Sequence, residues 1–133
     1  PTALWSGPAH GYCQVAHVDP QGQLLSGLYG LGPGHVANAQ ALDGVFLACH
    51  RKLAQSVRFD AGTFDHFHLY DTDFSWRAFR AGWPVGITQD LLLIHHSLGA
   101  FDATWEQHAA RFLAKHPEVP AAPAHPARVL MQP

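Results

Sequence analysis

The sequence predicts a mixed α/β domain of the α+β kind, and three observations carry that prediction. A β-prone pair of segments flanks a strong turn near the N-terminus. Two later segments repeat their apolar residues at helical spacing, and short apolar runs lie among them.

The pair of segments is the clearest. Tyr12 to Val18 and Gln23 to Tyr29 are β-prone, and Asp19-Pro20-Gln21-Gly22 lies between them. Asp at the first position, Pro presetting φ at the second and Gly at the fourth specify a type I turn. Residues 11–29 therefore read as a hairpin, after a loop over 1–10. Residues 30–38 are Gly-rich, with Gly30, Gly32, Pro33 and Gly34, and read as a loop. Their glycine spacing does not match a dinucleotide fingerprint.

The core is expected over 39–116. Asp43-Gly44 leads into the apolar run Val45 to Cys49, read as a buried strand. A short helix over 50–57 and an irregular stretch over 58–71 follow. A helix from about Thr72 to Ala81 is expected next, capped by Asp71 or Thr72, with Asp73 complementing its dipole and Gly82 ending it. Val85 to Ile87 reads as a strand, and Leu91 to Ile94 as another that ends at His95-His96. The last helix is expected over Ala103 to Lys115, capped by Asp102, with Trp105, Ala109, Phe112 and Leu113 on its inner face. Residues 117–133 are rich in Pro and Ala and read as an extended tail.

Composition narrows the function. The chain has 133 residues, 47% of them hydrophobic, which suits one globular domain. Eight Lys+Arg against ten Asp+Glu give a formal charge of −2, which argues against nucleic acid as a partner. No apolar stretch is long enough for a membrane span. The two cysteines, Cys13 and Cys49, lie in separate segments and read as buried free thiols of a reducing, cytoplasmic protein. The eleven histidines make the net charge sensitive near pH 6.

The chemistry concentrates in Phe64-Asp65-His66-Phe67-His68-Leu69-Tyr70-Asp71-Thr72-Asp73-Phe74. Its acids stand at the start of a helix, where backbone amides favour the ionised form. Phe67, Tyr70 and Phe74 exclude water on one side, so an acid here suits a general base. The competing reading of Asp71 is a helix cap and nothing more. A further alternative is a transition-metal site built from some of His66, His68, His95 and His96 with Asp71.

From residue 42 to 116 the order of segments resembles family 2-type glycosyltransferases. The matching pieces are Leu42 to Ala48, Arg58-Phe59-Asp60, Phe67 to Arg77, Ala81 to Ile87 and Leu93 to Gly99. The resemblance implies the C-terminal, acceptor-side half of a GT-A nucleotide-diphospho-sugar transferase fold, a mixed sheet with flanking helices. It implies Asp71 as catalytic base, with Asp43, Gly44, His68 and Tyr70 at the acceptor and Asp73 and Arg77 as scaffold. It also places His95 at a divalent metal, manganese or magnesium, that binds the donor diphosphate. The partners implied are a nucleotide-sugar donor and a glycan or other hydroxyl acceptor.

Nothing in residues 1–41 matches the donor-binding half of such enzymes, so the isolated chain is expected to be inactive and to self-associate through an uncovered edge. The alternatives to a transferase are a non-catalytic glycan- or partner-binding module and a His-rich metal-binding domain.

Overall fold

The computed structural model describes residues 13–29, 34–37, 39–96 and 100–119. The readings of 1–10 as a loop, of most of the Gly-rich segment and of the tail beyond 119 lie outside the described residues. These residues form a small mixed α/β fold with three helices and two small sheets. The chain divides into two compact units. The first holds 1–36, 87–100 and 119–133, and the second holds 37–86 and 101–118.

In the first unit, β1 (Cys13–Val18) pairs antiparallel with β2 (Leu24–Tyr29). The turn between them is closed by the Gly22 amide donating to the Asp19 carbonyl at 3.0 Å. The Asp19 carboxylate also accepts from the amides of Gln21 at 2.9 Å and Gln23 at 2.7 Å. Gly22 has φ of 79°, a conformation that glycine adopts without steric cost.

A third strand, β5 (Leu93–His95), adds to β1 in parallel, with Val15 opposite Leu93, Ala16 opposite Ile94 and His17 opposite His95. The sheet order is β2-β1-β5, so β5 forms an edge among the described residues. Ala16 is buried, while Leu91, Leu92 and Ile94 stand exposed on or beside that edge. A separate two-stranded sheet is formed by β3 (His35–Ala37) and β4 (Gly86–Thr88).

The second unit is helical. Helix α1 (Arg51–Val57) is capped by His50, whose Nδ1 accepts from the Lys52 amide at 3.2 Å. Helix α2 (Tyr70–Arg80) ends as expected at Ala81-Gly82, with Gly82 at φ of 80°. Helix α3 (Ala103–Lys115) spans the residues its periodicity indicates, and the Asp102 carboxylate caps it by accepting from the Trp105 amide at 3.0 Å. Leu53, Phe74, Ala78 and Val85 form a buried cluster, with Ala39, Leu42, Val57, Phe79 and Trp83 packed against it.

Five expectations need correction. The loop read over 30–38 carries strand β3 at residues 35–37, because that segment pairs with β4. No strand forms over Val45 to Cys49. Residues 44–46 turn instead, and both Val45 and Phe46 are exposed. The Gly44 amide is spent on a side-chain carboxylate, so this run cannot enter a sheet ladder there.

Helix α2 begins at Tyr70, two residues early, because Leu69 adopts a left-handed conformation at φ 61° and acts as N-cap. Neither Asp71 nor Thr72 is therefore the cap. Cys49 is exposed rather than buried. The inner face of α3 buries His108, Ala109 and Phe112, whereas Trp105 and Leu113 are only partly covered.

Candidate functional site around Asp71

Asp71 lies in the first turn of α2 and keeps only 8% of its surface exposed. Its Oδ2 accepts from the Gly44 amide at 2.6 Å, and its Oδ1 from the Thr72 amide at 2.7 Å. One contact is local to the helix. The other reaches across 27 residues to the 43–46 turn. That turn is tied down independently. The Leu42 amide donates to Ser75 Oγ at 2.8 Å, and Ser75 Oγ donates to the Asp71 carbonyl at 2.8 Å. Ser75 thus fixes the turn and α2 to each other one helical turn beyond the acid.

Gly44 is required here for space rather than for its backbone angle, since it is not among the glycines with positive φ. A Cβ at position 44 would meet Asp71 Oδ2 head-on and lie 2.8 Å from Asp71 Cβ. The carboxylate occupies the volume that any other residue would need.

Electrostatics set Asp71 apart from an ordinary surface acid. Burial pushes its carboxyl up from the usual value, and the nearby charge of Asp43 adds to this. The Thr72 and Gly44 amides pull the other way without cancelling the rise. Burial also raises the Tyr70 phenol, and the charges of Asp71 and Asp43 raise it further. Gly44 and Asp71 are joined by a hydrogen bond, while Asp43, itself exposed, acts on Asp71 and Tyr70 through its charge. A buried carboxylate whose pKa is raised is a chemically competent proton acceptor.

The remaining sequence-predicted residues are placed elsewhere. His68 faces α3, with its Nε2 3.8 Å from Asp102 Oδ1 and its carbonyl accepting from His108 Nδ1 at 3.0 Å. His66 stacks on His108 at 5.9 Å between ring centroids. Asp73 is fully buried and its Oδ2 accepts from Arg77 Nε at 2.7 Å. Arg77 further donates to the carbonyls of Val57 at 2.6 Å and Arg58 at 2.7 Å, which holds the end of α1 against α2.

His95 belongs to the first unit, on β5. Its Nδ1 lies 3.3 Å from Nδ1 of His17 on the neighbouring strand, with the rings 68° apart. The separation is that of a hydrogen bond between the two rings, one Nδ1 donating and the other accepting. Among the described residues, no group of three or more His, Cys, Asp or Glu is arranged to hold an ion.

Sequence reasoning missed several participants. Ser75 and the fully buried His108 carried no visible signal. Phe59 and Phe67, exposed beside Tyr70, were legible only as members of an aromatic-rich stretch. Among the described residues, no helix is long and apolar enough to cross a membrane. No protein-family model, curated protein or solved structure matches the chain.

Proposed function

We propose that this chain is the acceptor-side portion of a GT-A glycosyltransferase similar to family 2, with Asp71 as the base that deprotonates the acceptor hydroxyl. The observation that carries this reading is the Asp71 carboxylate. It is held at a helix start by the Gly44 amide, nearly dry, and beside a second acid and a phenol. An acid that served only as a cap would turn to its own helix. This one is also gripped from a turn that leaves no room for a side chain at residue 44.

The proposed reaction is an inverting transfer in a cytoplasmic enzyme. The acceptor oxygen gives its proton to the Asp71 carboxylate and forms a bond to the anomeric carbon of a nucleoside-diphosphate sugar. The bond from that carbon to the diphosphate oxygen breaks, and the nucleoside diphosphate leaves with the electron pair. Asp43 and Tyr70 orient the hydroxyl through their own oxygens. A divalent metal with His95 as a ligand stays part of the proposal for the complete enzyme, where such an ion would supply charge neutralisation at a leaving diphosphate.

A positioned base typically contributes about 10²–10⁴-fold to rate. In the protein that joins this segment to a donor-binding half, Asp71→Asn is expected to slow nucleoside-diphosphate release by that factor. Donor affinity, measured by calorimetry with a nucleoside diphosphate and manganese, should change little. Full turnover in the Asn variant would remove Asp71 from the role.

The isolated chain is also proposed to self-associate along the β5 edge, where Leu91, Leu92 and Ile94 are exposed. Light scattering should give a mass above that of one chain, and a clean monomer at high concentration would contradict it.

A further inference from the structure

A base that takes up a proton is neutral until it gives the proton away. For Asp71 that interval has a structural consequence. Both of its oxygens already accept an amide, Oδ2 from Gly44 at 2.6 Å and Oδ1 from Thr72 at 2.7 Å. An incoming proton must settle on an oxygen that is already holding backbone. Hydrogen bonds to a charged acceptor are roughly twice as strong as neutral ones, so protonation loosens both. Thr72 is kept in place by its own helix. Gly44 is held from across 27 residues and belongs to a turn.

Ser75 supplies a contact that does not depend on that charge. It lies four residues after Asp71, on the same face of α2. Its buried hydroxyl accepts from the Leu42 amide at 2.8 Å and donates to the Asp71 carbonyl at 2.8 Å, with the Thr72 carbonyl at 3.2 Å. None of these groups titrates. In a helix interior a serine is a poorer helix former than alanine, because its hydroxyl competes for backbone groups. Here the hydroxyl reaches out of the helix to a second segment. Leu42 also packs against the cluster of Leu53, Phe74, Ala78 and Val85, whereas Val45 and Phe46, just beyond Gly44, are exposed. The turn is therefore secured from its Leu42 end.

We infer that Ser75 is a positioning residue that keeps the 42–44 backbone docked on α2 while Asp71 carries a proton, so that the carboxylate meets the Gly44 amide in place once the proton leaves. Its use in turnover rests on the reading of Asp71 as base, but the tether is a property of the chain alone. The titratable groups coupled to Asp71 by charge are Asp43, from the turn, and Tyr70, beside it on α2. Burial and the two carboxylates raise the Tyr70 phenol, so it stays neutral while Asp71 titrates. Asp73, two residues on, is turned to Arg77, Lys115 and His116. Asp43 is a second carboxyl and is replaced in the test.

The test is amide hydrogen exchange of the full chain, read by NMR at Leu42 and Gly44, with the Asp71 titration followed at its carboxyl carbon. All proteins carry Asp43→Asn, so that the pH dependence belongs to Asp71. With Ser75 present, the Gly44 amide should stay protected by more than about tenfold over an unfolded peptide on both sides of the Asp71 midpoint. With Ser75→Ala it should stay protected above the midpoint, where the charged acceptor holds it. Below the midpoint it should fall to within about threefold of the unfolded peptide, and Leu42 with it. The Ala78 and Phe79 amides, later in α2, should keep their protection throughout. Ser75→Cys keeps the volume with a weaker hydrogen-bonding group and carries the same comparison should Ser75→Ala not fold.

A Gly44 amide protected on both sides of the midpoint in the variants would overturn the inference, since the turn would then stay docked without the hydroxyl. Loss of protection on both sides would also overturn it, by making Ser75 a structural residue indifferent to the charge of Asp71. So would loss below the midpoint with Ser75 present. Docking that depends on Ser75 only below the midpoint, together with full turnover by Asp71→Asn in the donor-complemented protein, would keep the tether and sink the base.

Discussion

Asp73→Ala is expected to destabilise the protein by about 3–5 kcal/mol, the range for stranding buried charge by removing one partner. Asp73 has no exposed surface, and three cationic or cation-capable groups converge on it. Arg77 Nε reaches Oδ2 at 2.7 Å, while Lys115 Nζ and His116 Nε2 reach Oδ1 at 2.7 Å and 2.8 Å. The carboxylate joins α2 to the last residues of α3. Lys115 carries the link onward to Asp60 at 2.7 Å, which together with Thr63 holds the Asp60 carboxyl far below its ordinary range.

Removing Asp73 leaves Arg77 and Lys115 without their shared anion. Both side chains are 24% exposed, so water relieves part of the loss and the lower end of the range is expected. Total stabilities of such domains are only about 5–15 kcal/mol, so the change should be plain in a urea melt as a lowered midpoint. Asp73→Asn keeps the volume but not the charge, and should lose nearly as much. A loss below about 1 kcal/mol in either variant would show that the cations do not depend on this carboxylate.

Gly44→Ala is the second large effect expected, and its sign is unusual. At a glycine with ordinary backbone angles, alanine is normally neutral or stabilising by about 0.4–1 kcal/mol through the unfolded chain. Here the new methyl would occupy the place of the Asp71 carboxylate. The acid must swing away, or the 43–46 turn must lift and break the Gly44 amide bond. Overpacking costs typically 1–3 kcal/mol, and losing a hydrogen bond to a charged group about 1.5–3 kcal/mol.

We expect destabilisation of about 2 kcal/mol by urea denaturation, the middle of those ranges. In the donor-complemented protein, turnover should fall toward that of Asp71→Asn. In an Asp71→Gly background the clash disappears, and adding Gly44→Ala should then cost within about 0.5 kcal/mol of nothing. An unchanged penalty there would mean that the turn, and not the acid, dislikes the methyl.

Some of this could be read from the residues alone. The hairpin was legible because Asp19-Pro20-Gln21-Gly22 specifies its own turn, and α3 because Asp102 caps a regular apolar repeat. Both depend on neighbours in sequence. The start of α2 was misplaced because the left-handed Leu69 has no residue signature. Val45 to Cys49 was misread because a short apolar run fits a strand, a helix or an exposed turn equally well.

The site divides in the same way. Asp71 and the Asp43-Gly44 pair were visible, but their meeting, across 27 residues, was not. Asp73 was visible as a helix-start acid, whereas its bonds to Lys115 and His116 span more than 40 residues. The parallel pairing of β1 with β5, which sets His17 beside His95, has no local trace at all.

The most direct test of Asp71 as base is the pH dependence of kcat/KM for nucleoside-diphosphate release, compared between wild type and Asp71→Asn. The base works ionised, so the rate should fall as pH drops through the Asp71 pKa. Burial and Asp43 raise that pKa above the ordinary 3.8, so the acid limb should lie above that value. The stability link has the opposite sense. A raised acid favours the folded state below the unfolded pKa, and that contribution fades as pH rises through the folded one. The wild-type limb should be absent in a slow, pH-flat Asp71→Asn variant. An identical limb in both proteins would assign the titrating group, and the proton transfer, to another residue.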